Sequence, residues 1–416
     1  MSYLGVATLD GADLSGLSGK LEDGATPHNG LGGLSAIAWA GQGNNYLVMP
    51  DRGPNAYAYP GGELVDKTKS YINRVHSVQV DVTQDVNHGW LVAVHLTGTT
   101  LLGSATSLTG SEYGNAERRY FTGLSSGMDA MEPTRSMRLD PEGLRVASDG
   151  ESFFVSDEYG PFLYQFARRS GLRLRSIRMP EAFLVRLSAA TGAGELAGNS
   201  SGRVPNKGME GLAIAPDGKT LFGLMQSPLL QDHAVTLDGG KTAVGINTRL
   251  IAFDLSQCSG AQEESCPSRQ FVYQQSTPAT GNSEMLAIND HQFLVMERDG
   301  KAGDASIKLV TMIDLDGATD VSSVQELPAK DLPPLVNPVA KRVLFDLAAT
   351  LKAAGQPIVE KYEGLAFGPD LPDGRHLLLI TVDNDFEHNV PSRLYAFAFD
   401  PSDMPGFKQQ GFGPGR

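Results

Sequence analysis

The feature that most constrains this chain is a sequence pattern that recurs five times. Each copy contains a polar lead-in, Glu-Gly-Leu or a variant of it, a short apolar strand, a turn, a second strand and a polar cluster. Internal repeats of this kind indicate a solenoid, a propeller or an array built from one structural unit. The copies span Gly32–Asn55, Asp140–Pro161, Asn206–Leu229, Asn282–Gly300 and Lys361–Phe386.

Each copy has the pattern of a β-hairpin. Asp-Gly pairs, which favour tight hairpin turns, divide three of the copies at Asp149-Gly150, Asp217-Gly218 and Asp373-Gly374. Further strand-like runs follow the hairpins, for example TRLIAFDL from Thr248 and RLYAFAF from Arg393. Four strands in a repeated unit are typical of a propeller blade.

We therefore predict an all-β fold, a single β-propeller domain over residues 1–416 with five recognisable blades of four antiparallel strands. The equivalent inner-strand positions are Ser35, Glu142, Glu210, Glu284 and Glu363. They are separated by 107, 68, 74 and 79 residues. A minimal blade needs only ~40–45 residues, so the surplus lies in loops, and a sixth, degenerate blade could occupy the gap around Leu101–Arg135. We expect Tyr3–Leu9 to supply the outermost strand of the C-terminal blade and to close the ring.

One or two peripheral helices are also expected. In the run VAKRVLFDLAATLKAAG, apolar residues at Val343, Leu344, Leu347 and Leu351 have helical spacing, and Gly355 ends the run. We predict a helix over this run that packs between blades.

Charge and hydropathy limit the partners. The formal net charge of -14 argues against nucleic acid or an anionic membrane surface, both of which need a basic footprint. It suits a protein that holds divalent cations. No stretch approaches the ~20 apolar residues of a membrane-spanning helix. We expect a monomer that acts on a small molecule.

The two cysteines, Cys258 and Cys266, lie close together in a polar stretch. Such a pair indicates a local disulfide and an oxidising compartment, although two unlinked thiols are the alternative. The opening residues MSYLGVATLDG do not resemble a signal peptide. A periplasmic or secreted location therefore implies a processed form that carries an added Met.

The repeated glutamates are the first candidate site. Glu142, Glu210, Glu284 and Glu363 each begin a predicted innermost strand, and innermost strands line the channel of a propeller. Four carboxylates on one ring would repel each other unless cations or basic residues neutralised them. Many hard oxygen ligands select Ca²⁺. The alternative is that Glu-Gly at a strand boundary only makes a turn and caps backbone groups.

A second polar set follows the second strands. Its members are Asp51-Arg52, Asp157-Glu158, Gln226, Glu297-Arg298-Asp299 and Asp383-Asn384-Asp385. The sequence leaves open whether this set shares one channel mouth with the glutamates. Lys207 and Lys361 lie shortly before their glutamates, and Arg135 precedes Glu142 by seven residues.

Five ordered motifs resemble the bacterial family called "esterase-like activity of phytase". They are DRGPN, DPEGL with SDEYGP, NKGMEGLA, EML with FLVMERD, and KYEGLA with DNDF, and they cover Gly32 to Phe386. The resemblance implies a propeller, export and phosphoester hydrolysis. The Glu-Gly-Leu elements are also similar to those of β-propeller phytases, in which acids bind calcium and basic residues hold phosphate.

The resemblance implies residue roles as well. Calcium ligands would be Glu142, Glu210, Glu284 and Glu363, with Asp51, Asp157, Glu158, Glu297, Asp383 and Asp385 as secondary candidates. Phosphate contacts would be Arg52, Lys207, Arg298 and Lys361, to which we add Arg135. Among the acids, we take Glu158, Glu297 and Asp51 as those that could deliver the attack. The chain departs from the pattern at Ser35 and at Gln226, where acids are expected.

Three functions compete at this point. The first is a calcium-dependent phosphoester hydrolase. The second is a calcium-dependent lactonase or carboxylesterase, for which one Glu, one Asp and one Asn would suffice, and Asn206, Asn282 and Asn384 are available. The third is a non-enzymatic periplasmic binding propeller with structural calcium. Fold alone does not choose among them.

Overall fold

The computed structural model contains five sheets arranged as the blades of a propeller. The described residues are 1–21, 24–54, 71–87, 89–105, 114–115, 117–123, 137–160, 162–187, 189, 192–236, 242–260, 263–387 and 390–413. Each sheet has four antiparallel strands that run in order from the innermost to the outermost, and one sheet gains a short fifth strand. The predicted five-bladed β-propeller is thereby confirmed.

The blades are numbered here in chain order, with strands given from the innermost outward. Blade 1 contains Ala36–Trp39, Asn45–Met49, Arg74–Asp85 and Gly89–Leu101. Blade 2 contains Pro141–Val146, Ser152–Asp157, Phe162–Ala167 and Arg173–Arg178. Blade 3 contains Met209–Ile214, Thr220–Met225, Asn247–Asp254 and Ser268–Gln274. Blade 4 contains Gly281–Ala287, Gln292–Arg298, Lys308–Asp314 and Ala340–Asp346. Blade 5 contains Lys361–Phe367, His376–Asp383, Ser392–Phe399 and Ser2–Leu9.

The five innermost strands form a complete ring. The innermost strand of blade 1 contacts those of blades 2 and 5, and the remaining neighbours contact each other in sequence. No space is left between blades 1 and 2 for the sixth blade that the long gap allowed. Within the described part of that gap, Gly103–Ser104 and Arg119–Tyr120 form a small two-stranded ribbon, while Arg135 lies outside the described residues.

The N-terminal strand completes the last blade. Ser2–Leu9 pairs antiparallel with Ser392–Phe399, so that Val6 lies opposite Tyr395. It forms the outermost strand of blade 5 and also contacts the outermost strand of blade 1. The two ends of the folded chain are thus joined by backbone hydrogen bonds.

The hydrophobic core is divided among the blade interfaces. Five large clusters of buried apolar side chains occur, one between each pair of neighbouring blades. Between blades 2 and 3, for example, Leu163 packs with Leu212 and Phe253, and all three are fully buried. Because each sheet is covered on both faces, its central strands are apolar almost throughout, as the sequence indicated.

Close packing at the axis explains the glycine of Glu-Gly-Leu. A Cβ atom at Gly364 of blade 5 would lie 2.9 Å from the backbone nitrogen of Ile37 in blade 1 and 2.2 Å from Thr381 Oγ1. A Cβ atom at Gly143 of blade 2 would lie 2.7 Å from the carbonyl oxygen of Glu210 in blade 3. Glycine therefore lets neighbouring innermost strands approach each other closely.

The predicted helix over VAKRVLFDLAATLKAAG is wrong in its first half. Ala340–Asp346 is the outermost strand of blade 4, in which Val343 pairs with Thr311, and only Leu347–Ala353 is helical. The Asp346 side chain accepts a hydrogen bond from Ala349 N and caps the helix. Edge pairing and this cap override the helical spacing. A second short helix spans Gly192–Gly198.

The predicted disulfide is confirmed between Cys258 and Cys266. It closes a loop of blade 3 whose residues Glu263–Glu264 pair in parallel with the outermost strand of blade 2. The loop thereby supplies the fifth strand of that sheet. None of the helices among the described residues is long and apolar enough to cross a membrane.

The close packing at the axis predicts that adding one methyl group at Gly364 destabilises the fold. Gly364→Ala should lower the free energy of unfolding by about 1–3 kcal/mol, because the ring of innermost strands must expand to admit the Cβ atom. Gly411→Ala is the control, since its Cβ atom would meet nothing within 4 Å. Urea unfolding checks the prediction, and equal stability of the two variants would contradict the close packing.

Candidate functional site

The two polar sets of the sequence lie at the same mouth of the channel. In each hairpin the first residues of the innermost strand pair with the last residues of the second strand. Lys361 lies opposite Asp383, and Pro141 lies opposite Asp157. The question that the sequence left open is therefore answered by the antiparallel register.

These residues form the walls of an open polar pocket of about 220 Å³. It collects most of the residues singled out from the sequence, and their positions come from all five blades. The predicted residues that line it are Asp51, Arg52, Glu142, Glu158, Lys207, Glu210, Arg298, Lys361, Glu363 and Asp383. The pocket also includes Asn206, Gln226, Ser227, Thr280 and Ser283.

One wall carries a compact group of three acids. Carboxylate oxygens of Asp51, Asp140 and Glu142 lie within 4.8 Å of one another, and all three side chains are buried. Arg52 Nη1 lies 2.5 Å from Asp140 Oδ2 and 3.5 Å from Glu158 Oε2. An all-oxygen donor set of this size fits a hard divalent cation.

Sequence reasoning missed Asp140. Its signal was present, since it lies two residues before Glu142, and residues two apart on a strand share a face. Asn282 and Lys361 occupy the same position before their glutamates. A β-bulge interrupts the strand pairing between Pro141 and Leu144. Such a bulge changes the direction of the side chain within it, which here is that of Glu142.

Two glutamates from blades 3 and 5 have unused oxygens. Gln226 Nε2 donates to Glu210 Oε1, and Arg298 Nη2 donates to Glu363 Oε1 at 2.5 Å. The second oxygens, Glu210 Oε2 and Glu363 Oε2, are buried and have no hydrogen-bond partner among the described residues. A buried carboxylate oxygen without a donor is costly, so both oxygens are suited to bind a cation or a protonated ligand.

Short turns hold the acids that end the second strands. Asp383 Oδ1 accepts a hydrogen bond from Asp385 N, and Asp51 Oδ1 accepts one from Gly53 N. These are Asx turns, in which an aspartate side chain fixes the loop that follows it. Lys361 Nζ lies 3.0 Å from Asp383 Oδ2 and also pairs with Asp385. Asp385 is thus a neighbour of the pocket rather than part of its lining.

The pocket is strongly anionic. Its lining holds six carboxylates and four cationic side chains, an excess of two negative charges when all are ionised. Burial, followed by repulsion from neighbouring acids, raises the pKa of Glu142 well above its ordinary value. Burial and then Glu363 raise the pKa of Glu210 to about 8. Bound cations would relieve this repulsion.

Glu158 and Asp51 are also perturbed. Burial and the nearby Asp140 raise the pKa of Glu158 well above its ordinary value, although Arg52 opposes the shift. Burial and the nearby Asp383 raise the pKa of Asp51 in the same way. Buried acids with raised pKa values in a cleft are typical of functional sites.

The structure places Glu284 below the pocket. Its Oε2 lies 3.0 Å from Arg145 Nη2, and its Oε1 accepts hydrogen bonds from Leu212 N and Met285 N. Burial raises the pKa of Glu284 to about 7, against the opposing effect of Arg145. This glutamate occupies the channel but does not line the pocket, and its carboxylate is already engaged by protein groups.

Glu297 lies behind the pocket wall. It is fully buried and accepts hydrogen bonds from Tyr273 Oη at 2.6 Å, Lys341 Nζ at 2.5 Å and Thr280 Oγ1 at 2.7 Å. Burial would raise its pKa, but Lys341 and the hydrogen bonds lower it. Glu297 therefore anchors the loop that carries Thr280 into the pocket. The alternation of the strand turns the next residue, Arg298, toward the pocket.

Asp157 also stays outside the lining. Its Oδ1 accepts hydrogen bonds from Asp140 N at 3.0 Å and Tyr159 N at 3.1 Å, and it is buried. Burial raises its pKa to about 7. Asp157 thus holds the backbone of Asp140, which is a member of the group of three acids. The predicted Arg135 lies outside the described residues.

Arg145 crosses the channel at its far end. Its Nη1 donates to Ile37 O at 3.1 Å in blade 1, and its Nη2 donates to Met285 O at 2.7 Å in blade 4. The C-terminal residues 407–410 line a separate cavity beside the ends of the innermost strands, which Arg145 also lines. Gln410 Nε2 donates to Val146 O at 2.8 Å. The polar pocket and this cavity are thus distinct, with Arg145 between the two ends of the channel.

Comparison with known families agrees with the motifs and the fold. The sequence profile described as "Phytase-like: Esterase-like activity of phytase" matches residues 29–386. The chain belongs to this family. The matched region includes all five hairpins and every residue of the pocket lining.

A relative and two solved structures are also similar. An uncharacterized secreted protein of Arthroderma benhamiae is 32% identical over 193 residues, which are 41% of this chain and 36% of that protein. The chain thus matches about a third of the length of that relative. The periplasmic gluconolactonase of Pseudomonas aeruginosa is 11% identical, with 92% of this chain and 86% of that chain covered and a TM-score of 0.37. The calcium-binding protein regucalcin of Agrobacterium tumefaciens is 12% identical, with 88% and 92% covered and a TM-score of 0.33. Both structural likenesses are remote and carry no conclusion about chemistry.

The raised pKa of Glu210 predicts a pH-dependent stability. With a chelator present, the free energy of unfolding should fall as pH rises from 6 to 8. The folded protein keeps a proton up to about pH 8, whereas the unfolded chain loses it near pH 4.5. The contribution of protonated Glu210 to the free energy of unfolding is therefore full below pH 4.5. It decreases by about 1 kcal/mol per pH unit above that pH and is lost above pH 8.

Urea unfolding of Glu210→Gln, which has no proton to lose at this position, measures the contribution. Its stability should decrease less than that of the wild type over the same range. His76, whose pKa is lowered to about 4, acts in the opposite sense up to about pH 6.5 in both proteins and cancels in the comparison. Glu151→Gln, at an exposed turn, should follow the wild type. Parallel curves for all three proteins would contradict the assignment.

Proposed function

We propose that this chain is a calcium-dependent phosphoester hydrolase whose active site is the polar pocket. The observation that carries the proposal is the convergence of four cationic side chains with a group of buried acids at one mouth. The cations are Arg52, Lys207, Arg298 and Lys361. Acids that hold metal ions beside cations that bind oxyanions are the combination that phosphoryl chemistry needs.

The acids supply the calcium site in this proposal. Asp51, Asp140 and Glu142 provide one group of ligands, and Glu210 and Glu363 provide buried oxygens without donors in blades 3 and 5. All are oxygen ligands, which suit Ca²⁺ better than zinc or copper. Bound calcium would neutralise phosphate charge and orient the phosphate group. Glu284 is omitted from the proposed ligands because Arg145 and two backbone amides engage it.

The cations bind the phosphate in this proposal. Lys207 is exposed at the mouth and forms no ion pair with any described residue. Arg52 and Arg298 are buried, and the Nε atom of each has no hydrogen-bond acceptor among the described residues. A phosphate oxygen would satisfy such a donor with a charge-assisted hydrogen bond.

Glu158 is the residue that we assign to accept a proton from the attacking water. It lines the pocket, is buried, and has a pKa raised above that of a free glutamate. A carboxylate with a raised pKa is a stronger base at neutral pH. Asp51 has the same properties and is the second candidate. Glu297 is not assigned to catalysis because it lies behind the wall.

The polar lining argues against the competing functions. Lactonases and carboxylesterases need a pocket that binds an uncharged ester, whereas this pocket holds ten ionisable side chains. A purely structural calcium site does not need four cations at its mouth. The disulfide and the secreted relative support a periplasmic or secreted location. We propose that residues 1–416 act as one propeller domain and as a monomer.

A panel of phosphoester substrates tests the proposal. Purified protein should release phosphate or alcohol from at least one phosphoester when calcium is present, and the rate should fall to background when a chelator is added. Lactones and carboxylic esters form the parallel panel. Hydrolysis of those esters alone, or no release of phosphate at any calcium concentration, would remove the proposed function.

Removal of one ligand oxygen tests the calcium site. Glu210→Gln should weaken calcium binding about tenfold or more. The reason is that an uncharged amide replaces a charged carboxylate whose Oε2 is buried and has no hydrogen-bond partner among the described residues. Isothermal titration calorimetry with calcium chloride measures the affinity. Glu151→Gln, on an exposed turn of blade 2, is the matched control and should bind as the wild type does. Unchanged affinity of Glu210→Gln would exclude Glu210 as a ligand.

A further inference from the structure

A buried arginine lies directly behind the junction of blades 2 and 3. Arg203 is only 4% exposed, and it precedes the turn Val204–Lys207 that leads into the innermost strand of blade 3. It does not line the polar pocket. The sequence patterns did not single it out, because it belongs to none of the five hairpins.

Arg203 joins its own turn to a nearby short helix and to the distant segment that contains Tyr159. Its Nε donates to Tyr159 O at 2.6 Å, and its Nη1 lies 2.7 Å from Glu195 Oε1 on the short helix Gly192–Gly198. Tyr159 follows Glu158 directly. A buried guanidinium thus fixes the backbone of the segment that carries the proposed general base.

The same arginine begins the loop that presents Lys207. In the turn after it, Lys207 N donates to Val204 O at 3.1 Å, Pro205 lies at the second position, and Asn206 has a φ of 56°. This is the sequence and backbone pattern of a type II turn. Such a turn is rigid, so the direction of Lys207 depends on the residue that anchors its first end.

The two segments also touch each other. A Cβ atom at Gly208 would lie 1.9 Å from Glu158 O, so no side chain fits between the loop of blade 3 and the end of the second strand of blade 2. Glu158 N in turn donates to Asp140 O at 2.9 Å. Arg203, Glu158 and Lys207 are therefore connected through backbone contacts rather than through flexible side chains.

We propose that Arg203 is a positioning residue that holds Glu158 and Lys207 at a fixed separation across the pocket. The effect on catalysis rests on the proposed function, whereas the fixed geometry of the two segments does not depend on it. Loss of a group that orients metal ligands or catalytic side chains typically lowers metal affinity or activity by about 10–100-fold.

The competing explanation is that Arg203 only stabilises the fold. Arg249 in blade 3 provides a matched control, because it is buried, pairs with the buried Asp232 at 2.6 Å and forms no hydrogen bond with the pocket residues named above. The turn that contains Asp232 is hydrogen-bonded to Gly202, so the comparison is made at residues 157–160 and 204–208 and not at Gly202. Arg203→Met and Arg249→Met each remove one buried guanidinium and leave a carboxylate without its partner. Both variants should lose stability, but only the first should disturb the pocket.

Hydrogen exchange measured by mass spectrometry tests the geometric part in the full chain. Arg203→Met should speed amide exchange in residues 157–160 and 204–208, and Arg249→Met should leave both segments at the wild-type rate. Glu195→Gln retains the bond to Tyr159 and should give a smaller increase. Equal exchange in Arg203→Met and Arg249→Met at these segments would overturn the inference, whatever the protein hydrolyses.

Calcium titration and kinetics test the functional part. Arg203→Met should lower kcat with a phosphoester about tenfold or more, because Glu158 and Lys207 lose their fixed separation, while its calcium affinity should change little because neither residue is a proposed ligand. Arg249→Met should keep the wild-type kcat in the temperature range where it is folded. Arg203→Lys should recover part of the loss, since it restores the charge beside Glu195. A wild-type kcat in Arg203→Met would overturn the functional part. Absence of calcium binding in the wild type would instead remove the proposed function and leave the exchange result to decide the geometry.

Discussion

Electrostatic repulsion among buried carboxylates is the constraint around which the channel mouth is organised. Asp140 is fully buried, and Glu142, Glu210 and Glu363 expose less than a tenth of their surface. Acids in such surroundings either keep their protons or acquire positive partners. The chain provides some of these partners itself, through Arg52 beside Asp140 and Arg298 beside Glu363. The remaining negative charge is the basis for our proposal that the mouth binds cations.

Repetition made the fold predictable from the sequence. Three of the hairpins carry an Asp-Gly turn, the hairpin strands are apolar almost throughout, and the same unit recurs, so local and global patterns agree. The last strand of blade 4 was mistaken for helix because Val343, Leu344 and Leu347 have helical spacing, whereas pairing with Thr311 is a contact distant in sequence. The number of blades became clear only when the ring closed around the axis.

The site was predictable where symmetry places a residue and unpredictable where an individual partner decides. Glu142, Glu210 and Glu363 line one pocket because equivalent positions of a propeller converge. Glu284 occupies the same position, but Arg145 from another blade engages it, and nothing in the local sequence reveals that pairing. Glu297 turns away because neighbouring residues on a strand face opposite sides. Asp140 could have been found from its spacing of two residues before Glu142.

Arg145 makes the two ends of the channel chemically unequal. Its guanidinium group spans the axis between backbone carbonyls of blades 1 and 4, and the C-terminal segment lines a separate cavity beyond it. A ligand of the polar pocket would therefore enter and leave on the side where Lys207 is exposed. Substitutions at that rim would then alter the rates of binding and of release together.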